Sequence, residues 1–201
     1  SETLNHGTPV TLTATPTVGT SSFTGWSGGG CTGTGMCVVN LTAATTVNAV
    51  FTINSYPLTS SVTGMGTITS SPAGVTCPGD CSQNYTHGTV VSFTQVATPG
   101  WTFQNWGGAC SGNTTCSVTM DQARNVTATF TLNSYDLTVD VTGMGTVTAS
   151  PQISCGTNCT GTYTHNTVVS LSQMATTGWT FQSWGGACSG ATCDVEMDAS
   201  K

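Results

Sequence analysis

The stretch WTFQNWGGAC, residues 101–110, returns as WTFQSWGGAC at 179–188, with Ser183 in place of Asn105 as the only change. Ten residues holding two tryptophans do not recur by accident, so the chain must be read as a repeat before any element is assigned. Working outward, GMGTITSSP at 64–72 matches GMGTVTASP at 143–151, and FTINSY at 51–56 matches FTLNSY at 130–135. THGTVVSFTQ at 86–95 matches THNTVVSLSQ at 164–173. Every match is offset by 78 or 79 positions. The first part joins more loosely: NHGTPVTLTATP (5–16) leads to FTGWSGGGC (23–31), setting Trp26 level with Trp106 and Trp184.

The chain is therefore one unit of about 79 residues met roughly two and a half times. Residues 1–53 are the C-terminal part of repeat 1, 54–132 a complete repeat 2, and 133–201 a repeat 3 without its last strand. Ser1 aligns with Ser82 and Lys201 with Arg124. The first copy thus lacks about 28 opening residues, and the last copy lacks the counterpart of NVTATF at 125–130. The expectation is a section of a longer protein, or a subunit completed by its neighbours.

Charged residues make up 5 % of the chain, with two basic residues and a net charge of −6. Globular domains usually carry near 25 %. Nucleic-acid binding, which runs on phosphate neutralisation, is not expected. No run of 18 apolar residues exists, so no helical membrane span is expected. A surface built of Thr, Ser, Gly and Asn suits exposed, secreted repeats, where scarce Lys and Arg also leave trypsin-like proteases few sites. Lys201 is the only lysine, which excludes a network of isopeptide cross-links.

Ten cysteines form five close pairs: Cys31/Cys37, Cys77/Cys81, Cys110/Cys116, Cys155/Cys159 and Cys188/Cys193. An even count in local pairs reads as disulfides in an oxidising, extracellular setting. Metal binding by C-x3-C is the competing reading, but zinc ribbons use C-x2-C, and no histidine recurs beside these pairs. In the chain-entropy model each small loop contributes about 2 kcal/mol. That matters to an 80-residue unit with little surface to bury.

TPVTLTATP, TVVSFTQVATP and TVVSLSQMATT alternate apolar and polar residues with period two, and Thr and Val dominate them. YPLTSSVTGMGTITSSP reads as a hairpin turning at GMG. The fold class expected is all-β, with tandem sandwich-like repeats set end to end as a rod. Within repeat 2, strands are predicted at 56–63, 66–71, 89–97, 101–106, 116–120 and 125–131, with disulfide loops at 77–81 and 110–116. Between Phe130 and Tyr135 stand only TLNS, with neither Gly nor Pro, and Leu132 (Ile53 at the other joint) is expected to be buried there. Such a joint is not a flexible linker.

Trp101 and Phe103 share a strand face. Trp106 falls on the other unless the strand bends, and Gly107–Gly108 is expected to supply the bend. Trp106, kept as Trp26 and Trp184, is a core anchor. Trp101 and Trp179 align with Ser21 in the first copy, so they are candidates for inter-unit contact or for stacking on a sugar. His6, His87 and His165 recur at one position before a strand, and no carboxylate or nucleophile recurs beside them, which favours a turn or strand-entry role over catalysis or metal binding. Asp121 and Asp198 share a turn position, whereas Asp194 and Glu196 have no counterparts in repeat 2. A paired-carboxylate hydrolase site is therefore unsupported. No nucleophile elbow, phosphate loop or C-x-x-C is present. No catalytic, cofactor or metal residue is assigned, and an enzyme is the least supported class. The N-x-T sequons at Asn40, Asn84, Asn113, Asn125 and Asn158 do not recur at equivalent positions.

The order Y-x-L-T…T-G-x-G-x-[VI]-T-x-S-P, C-x3-C, T-V-V, G-W-x-F-x-x-W-G-G-x-C-S-G…C, V-x-M-D and V-T-A-x-F resembles the divergent internalin-type B-repeat of bacterial surface and secreted proteins. The resemblance covers essentially the whole chain. It implies small β-rich domains in tandem on extracellular proteins, as stalks or adhesive arrays, with no general catalytic residues to carry over. Two functions compete. The first is a structural rod, stalk or surface filament of adhesin type, whose partner is itself, through continuing repeats or neighbouring subunits in a protein fibril. The second is a carbohydrate-binding array attached to a secreted enzyme, reaching cell-surface glycans through Trp101 and Trp179.

Peptide mapping without reductant should return five local cross-links and no bridge between repeats. A peptide joining Cys37 to Cys77, or Cys116 to Cys155, would overturn the local pairing.

Overall fold

The computed structural model describes residues 3–156 and 159–201, and the Asn158 sequon lies outside them. The described residues form strands and turns without a helix. Repeat 1 contributes β1 (Thr8–Leu12), β2 (Ser21–Ser27), β3 (Cys37–Leu41) and β4 (Asn48–Ile53). Repeat 2 contributes β5 (Ser55–Thr63), β6 (Gly66–Ser71), β7 (Thr76–Cys77), β8 (Ser82–Thr86), β9 (Val90–Ala97), β10 (Trp101–Gly108), β11 (Cys116–Thr119) and β12 (Arg124–Leu132). Repeat 3 contributes β13 (Ser134–Val139), β14 (Gly145–Ala149), β15 (Ile153–Cys155), β16 (Cys159–Thr164), β17 (Val168–Ala175) and β18 (Cys193–Glu196).

The complete repeat holds two four-stranded sheets, ordered β10-β12-β5-β8 and β11-β9-β6-β7. Period-two patterning sends Leu58, Tyr85, Trp106, Val126, Ala128 and Phe130 inward from the first. Ile68, Val91, Phe93 and Val118 turn inward from the second. Phe93 and Trp106 join the two layers, their ring centroids 5.9 Å apart. Each such side chain contributes about 1.5–3 kcal/mol by leaving water. The outward residues are mostly Thr and Ser, and they pair across strands, as Thr69 with Thr94 at 2.7 Å and Ser92 with Ser117 at 3.2 Å.

Disulfides close all five cysteine pairs: Cys31–Cys37, Cys77–Cys81, Cys110–Cys116, Cys155–Cys159 and Cys188–Cys193. The recurrent tryptophan secures the loop beside the longer of these links. Trp26 N–H donates to Gly33 O at 2.8 Å, Trp106 N–H to Gly112 O at 2.7 Å and Trp184 N–H to Gly190 O at 3.0 Å. In the first two copies the indole N–H also donates to a loop carbonyl, Trp26 to Gly35 at 2.8 Å and Trp106 to Thr114 at 3.3 Å. The tryptophan is thus a core plug and a loop clamp at once.

Four expectations change. The segment 77–81 is less of a loop than its cysteine spacing suggests. Cys77 is buried and ends β7, whereas Cys81 is only half-buried. The Cys81 carbonyl accepts from Ser60 N–H at 2.7 Å, next to the Thr59–Ser82 pair, so Cys81 extends the β5–β8 ladder. Its disulfide therefore ties the edge of one sheet to the edge of the other. Strand β8 itself is a second departure, because SQNYT buries only Tyr85 and shows no apolar run. Third, the bend that turns Trp106 inward lies before it: Gln104 and Asn105 are both exposed, and in repeat 1 the β2–β4 register shifts between Phe23 and Gly25. An extra residue in one strand flips the face of every residue after it, which leaves no such task for Gly107–Gly108. Last, Ile53 and Leu132 are exposed rather than buried.

Contacts group the chain into two compact units, Ser1–Ser61 with Ile68–Thr94 and Asn105–Ala128, and Val62–Thr67 with Gln95–Gln104 and Thr129–Lys201. Neither follows the repeat boundaries, and each contains one joint between repeats.

Repeat 3 holds a smaller version of the core, with Leu137, Val139, Val147, Ala149, Ile153, Tyr163, Val169, Val195 and Met197 buried together. One difference has a clear cost. In repeat 2 the Tyr85 hydroxyl meets Ser70 Oγ at 2.9 Å and donates to Pro72 O at 3.1 Å. Ala149 stands in the Ser70 position of repeat 3, and the buried Tyr163 hydroxyl has no partner. Burial pushes the Tyr163 phenol up. Ala149→Ser should supply the partner and stabilise the chain by about 1 kcal/mol, while Ser70→Ala should cost a similar amount. Thermal unfolding of the two variants checks this; an A149S midpoint at or below that of the parent would show that the hydroxyl is satisfied in some other way.

Candidate functional site

The joint between repeats is where the chain builds the same polar cluster twice. Strand β4 ends at Ile53 and β5 begins at Ser55; β12 ends at Leu132 and β13 begins at Ser134. One asparagine separates each pair of strands.

At the second joint the Asn133 N–H donates to Gly100 O at 2.8 Å, and its carbonyl accepts from His165 N–H at 2.9 Å. Its side-chain oxygen accepts from Thr102 Oγ1 at 2.6 Å. At the first joint Asn54 N–H donates to Thr20 O at 2.9 Å, and its carbonyl accepts from His87 N–H at 2.8 Å. Its side-chain oxygen accepts from Ser22 Oγ. The asparagine therefore binds the repeat it leaves and the repeat it enters. Thr102 and Ser22 hold equivalent places, so the cluster is the same in chemistry as well as geometry.

The recurrent histidines complete the joint. The His87 ring stands against Tyr56 with centroids 6.2 Å apart, and the His165 ring against Tyr135 at 6.0 Å, both edge-on. His87 Nε2 lies 3.4 Å from Thr20 Oγ1, and the Tyr56 hydroxyl donates to Gly19 O. At the second joint the His165 ring occupies the place where a Gly100 side chain would stand. His6, in the same sequence position of repeat 1, is exposed. The Nδ1 atoms of His87 and His165 are buried without a hydrogen-bond partner, which fits rings held for their shape.

Trp101 and Trp179 lie elsewhere. Each covers the hairpin glycine of its own repeat: a Cβ on Gly64 would come within 2.8 Å of Trp101 Cζ3, and one on Gly143 within 3.0 Å of Trp179 Cζ3. Trp101 is half-buried, whereas Trp179 is 54 % exposed. It stands at an open groove of ≈ 840 Å³ whose lining includes Leu137, Val139, Val141, Leu171, Phe181 and Trp184.

Asp121 and Asp198 are turn residues. Arg124 meets Asp121 at 2.6 Å and Lys201 meets Asp198 at 2.7 Å. These hydrogen-bonded cations hold both carboxyls below the ordinary value of 3.8. Whatever stability the pairs add is present at neutral pH and is lost only in acid, as pH falls through the lowered folded values. Asp194 and Glu196 lie exposed on β18. Among the described residues, no group of three or more His, Cys, Asp or Glu side chains could hold a metal ion.

A family model for the divergent InlB B-repeat domain matches residues 1–55, 56–134 and 135–200. The chain belongs to this B-repeat family. None of the curated proteins and none of the solved structures matches it. The matched spans meet between Ser55 and Tyr56 and between Ser134 and Tyr135, just after Asn54 and Asn133. The B-repeat is thus the unit, and the two asparagines are its connectors.

Gly100→Ala tests whether the histidine wedge carries energy. The site has a φ of +79° and no room beside His165. Gly88 has a φ of +83° with open space around it, so Gly88→Ala reports the backbone cost alone. Urea unfolding should show Gly100→Ala costing about 1–3 kcal/mol more than Gly88→Ala. Equal costs would mean that the His165 ring gives way freely.

Proposed function

We propose that this B-repeat chain is a non-catalytic structural element exported from a bacterial cell, forming a rod, stalk or surface filament of adhesin type. The observation that carries the reading is the duplicated joint. Two copies of one hydrogen-bonded cluster, each centred on a single asparagine, favour a fixed step from repeat to repeat. Five disulfides in 201 residues and membership of a repeat family support an oxidising, extracellular location. A chain with 5 % charged residues and only two basic residues suits prolonged exposure to secreted proteases.

Glycan capture is the second reading, and the exposure of Trp179 is what favours it. Against it, Trp101 in the complete repeat lies half-buried on its own hairpin. A tryptophan there is explained by packing.

Small-angle X-ray scattering of the intact chain separates an extended array from a globule. At about 30 Å per repeat, the radius of gyration should lie well above the ~17 Å of a compact 201-residue domain. A value near ~17 Å would overturn the rod.

A further inference from the structure

The six methionines fall into two sets. Met120 and Met197 are wholly buried, whereas Met36, Met65, Met144 and Met174 are 56–79 % exposed. All ten cysteines are held in disulfides, so among the described residues the four outer thioethers are the reduced sulfurs that solvent reaches.

Their exposure is built into the repeat. Met65 and Met144 hold the same hairpin tip, each between two glycines. The turn requires those glycines: Gly64 and Gly143 have φ values of +83° and +92°, and a Cβ on Gly66 would come within 2.5 Å of the Phe130 ring. A methionine flanked by residues without side chains has no local cover. Its main chain does the structural task, as Met65 O accepts from Thr98 N–H at 3.2 Å and Met144 O from Thr176 N–H at 3.1 Å. Met174 faces outward on β17 opposite Thr146, and its counterpart in the complete repeat, Val96, is 66 % exposed. Met36 stands in the Cys31–Cys37 loop, where its counterpart Thr115 is exposed as well.

The buried pair is placed differently. Met120 N–H donates to Thr89 O at 2.9 Å and its carbonyl accepts from Gly88 N–H at 2.9 Å; Met197 makes the same two bonds with Thr167 and Asn166. Oxidation turns a flexible apolar side chain into a polar, chiral one, which disrupts a core and costs little in water. Trp101 lies at the Met65 tip, its ring edge against Gly64.

We propose that Met36, Met65, Met144 and Met174 are sacrificial sulfoxidation sites, which consume hypohalous acids before these reach the core and the tryptophans. The sulfur lone pair takes the chlorine of hypochlorous acid, breaking its O–Cl bond and releasing hydroxide. Water then adds to the sulfur as chloride leaves. Of the two protons water gives up, one neutralises the hydroxide and the other is released. The thioether has lost two electrons, the chlorine has gained them, and the sulfoxide stands in solvent with the ladder bonds untouched. This chemistry needs only exposed thioethers, so it stands or falls apart from the rod.

Titration of the intact chain with hypochlorous acid tests it. Up to four equivalents, one for each outer methionine, should go to Met36, Met65, Met144 and Met174. Peptide mapping should find these oxidised at least about tenfold faster than Met120 and Met197, whose sulfurs meet oxidant only when the core opens. Over the same range the melting midpoint and tryptophan emission should hold. With all four outer methionines changed to Leu, a swap that keeps volume, emission should fall within the first four equivalents. Oxidation spread evenly over all six methionines, or a melting midpoint that drops before four equivalents are consumed, would overturn the proposal on the parent chain alone. A Leu variant whose emission lasts as long as that of the parent would overturn the guarding role.

Discussion

A single asparagine between two strands is the constraint on which the rest depends. With no loop to absorb rotation, the strand leaving one repeat and the strand entering the next share one backbone course. Asn54 and Asn133 satisfy their own N–H and C=O across the joint, where an open backbone group would be costly. Their side chains add a third bond to Ser22 or Thr102. The compact units of the chain each contain one of these joints and cut through the middle of repeat 2. A sequence repeat and a packing unit are therefore different objects here, and the packing unit straddles the repeat boundary.

The three copies act as natural substitutions of one another. Ser70 and Ala149 show that a buried tyrosine needs a specific neighbour to satisfy its hydroxyl. Thr20 and Gly100 show two solutions at one joint, a side chain that meets the histidine and a gap that the histidine fills. Trp106 is 2 % exposed and Trp184 half-buried, although both donate a main-chain N–H to the glycine carbonyl of the adjoining loop.

That contrast also marks how far the sequence can be read. Repeat period, all-β class and the alternating Thr/Val strands are legible because they are local patterns. The joint is legible as short, but its chemistry is not. Leu132 and Ile53 draw attention as apolar residues, whereas the repeated Asn and His carry the bonds. The signal is present in FTINSY, FTLNSY and the recurring histidine, and needs only the thought that they meet. The most instructive case is the opening stretch itself. Residues 101–106 form a strand and 179–184 do not, although they differ only at Asn105/Ser183. In repeat 2 this strand pairs with β12, a partner that lies outside any local window.

Scarce charge ties these features together. Natural sheets protect exposed edges with lysine, proline or inward-pointing charges. In the β4 segment neither face carries one: Val47 packs on the Trp26 core and Phe51 meets Phe23 at 5.3 Å on one side, and Asn48, Val50 and Thr52 stand on the other. Threonine and serine pairs carry the surface in place of ion pairs, as Thr138 with Thr160 at 3.3 Å and Thr86 with Thr89 at 3.1 Å. Such hydroxyl pairs do not titrate and are not screened by salt. A sheet surface carried by hydroxyl pairs thus keeps its cross-strand bonds with few ionisable groups, which is how a chain with 5 % charged residues covers its strands.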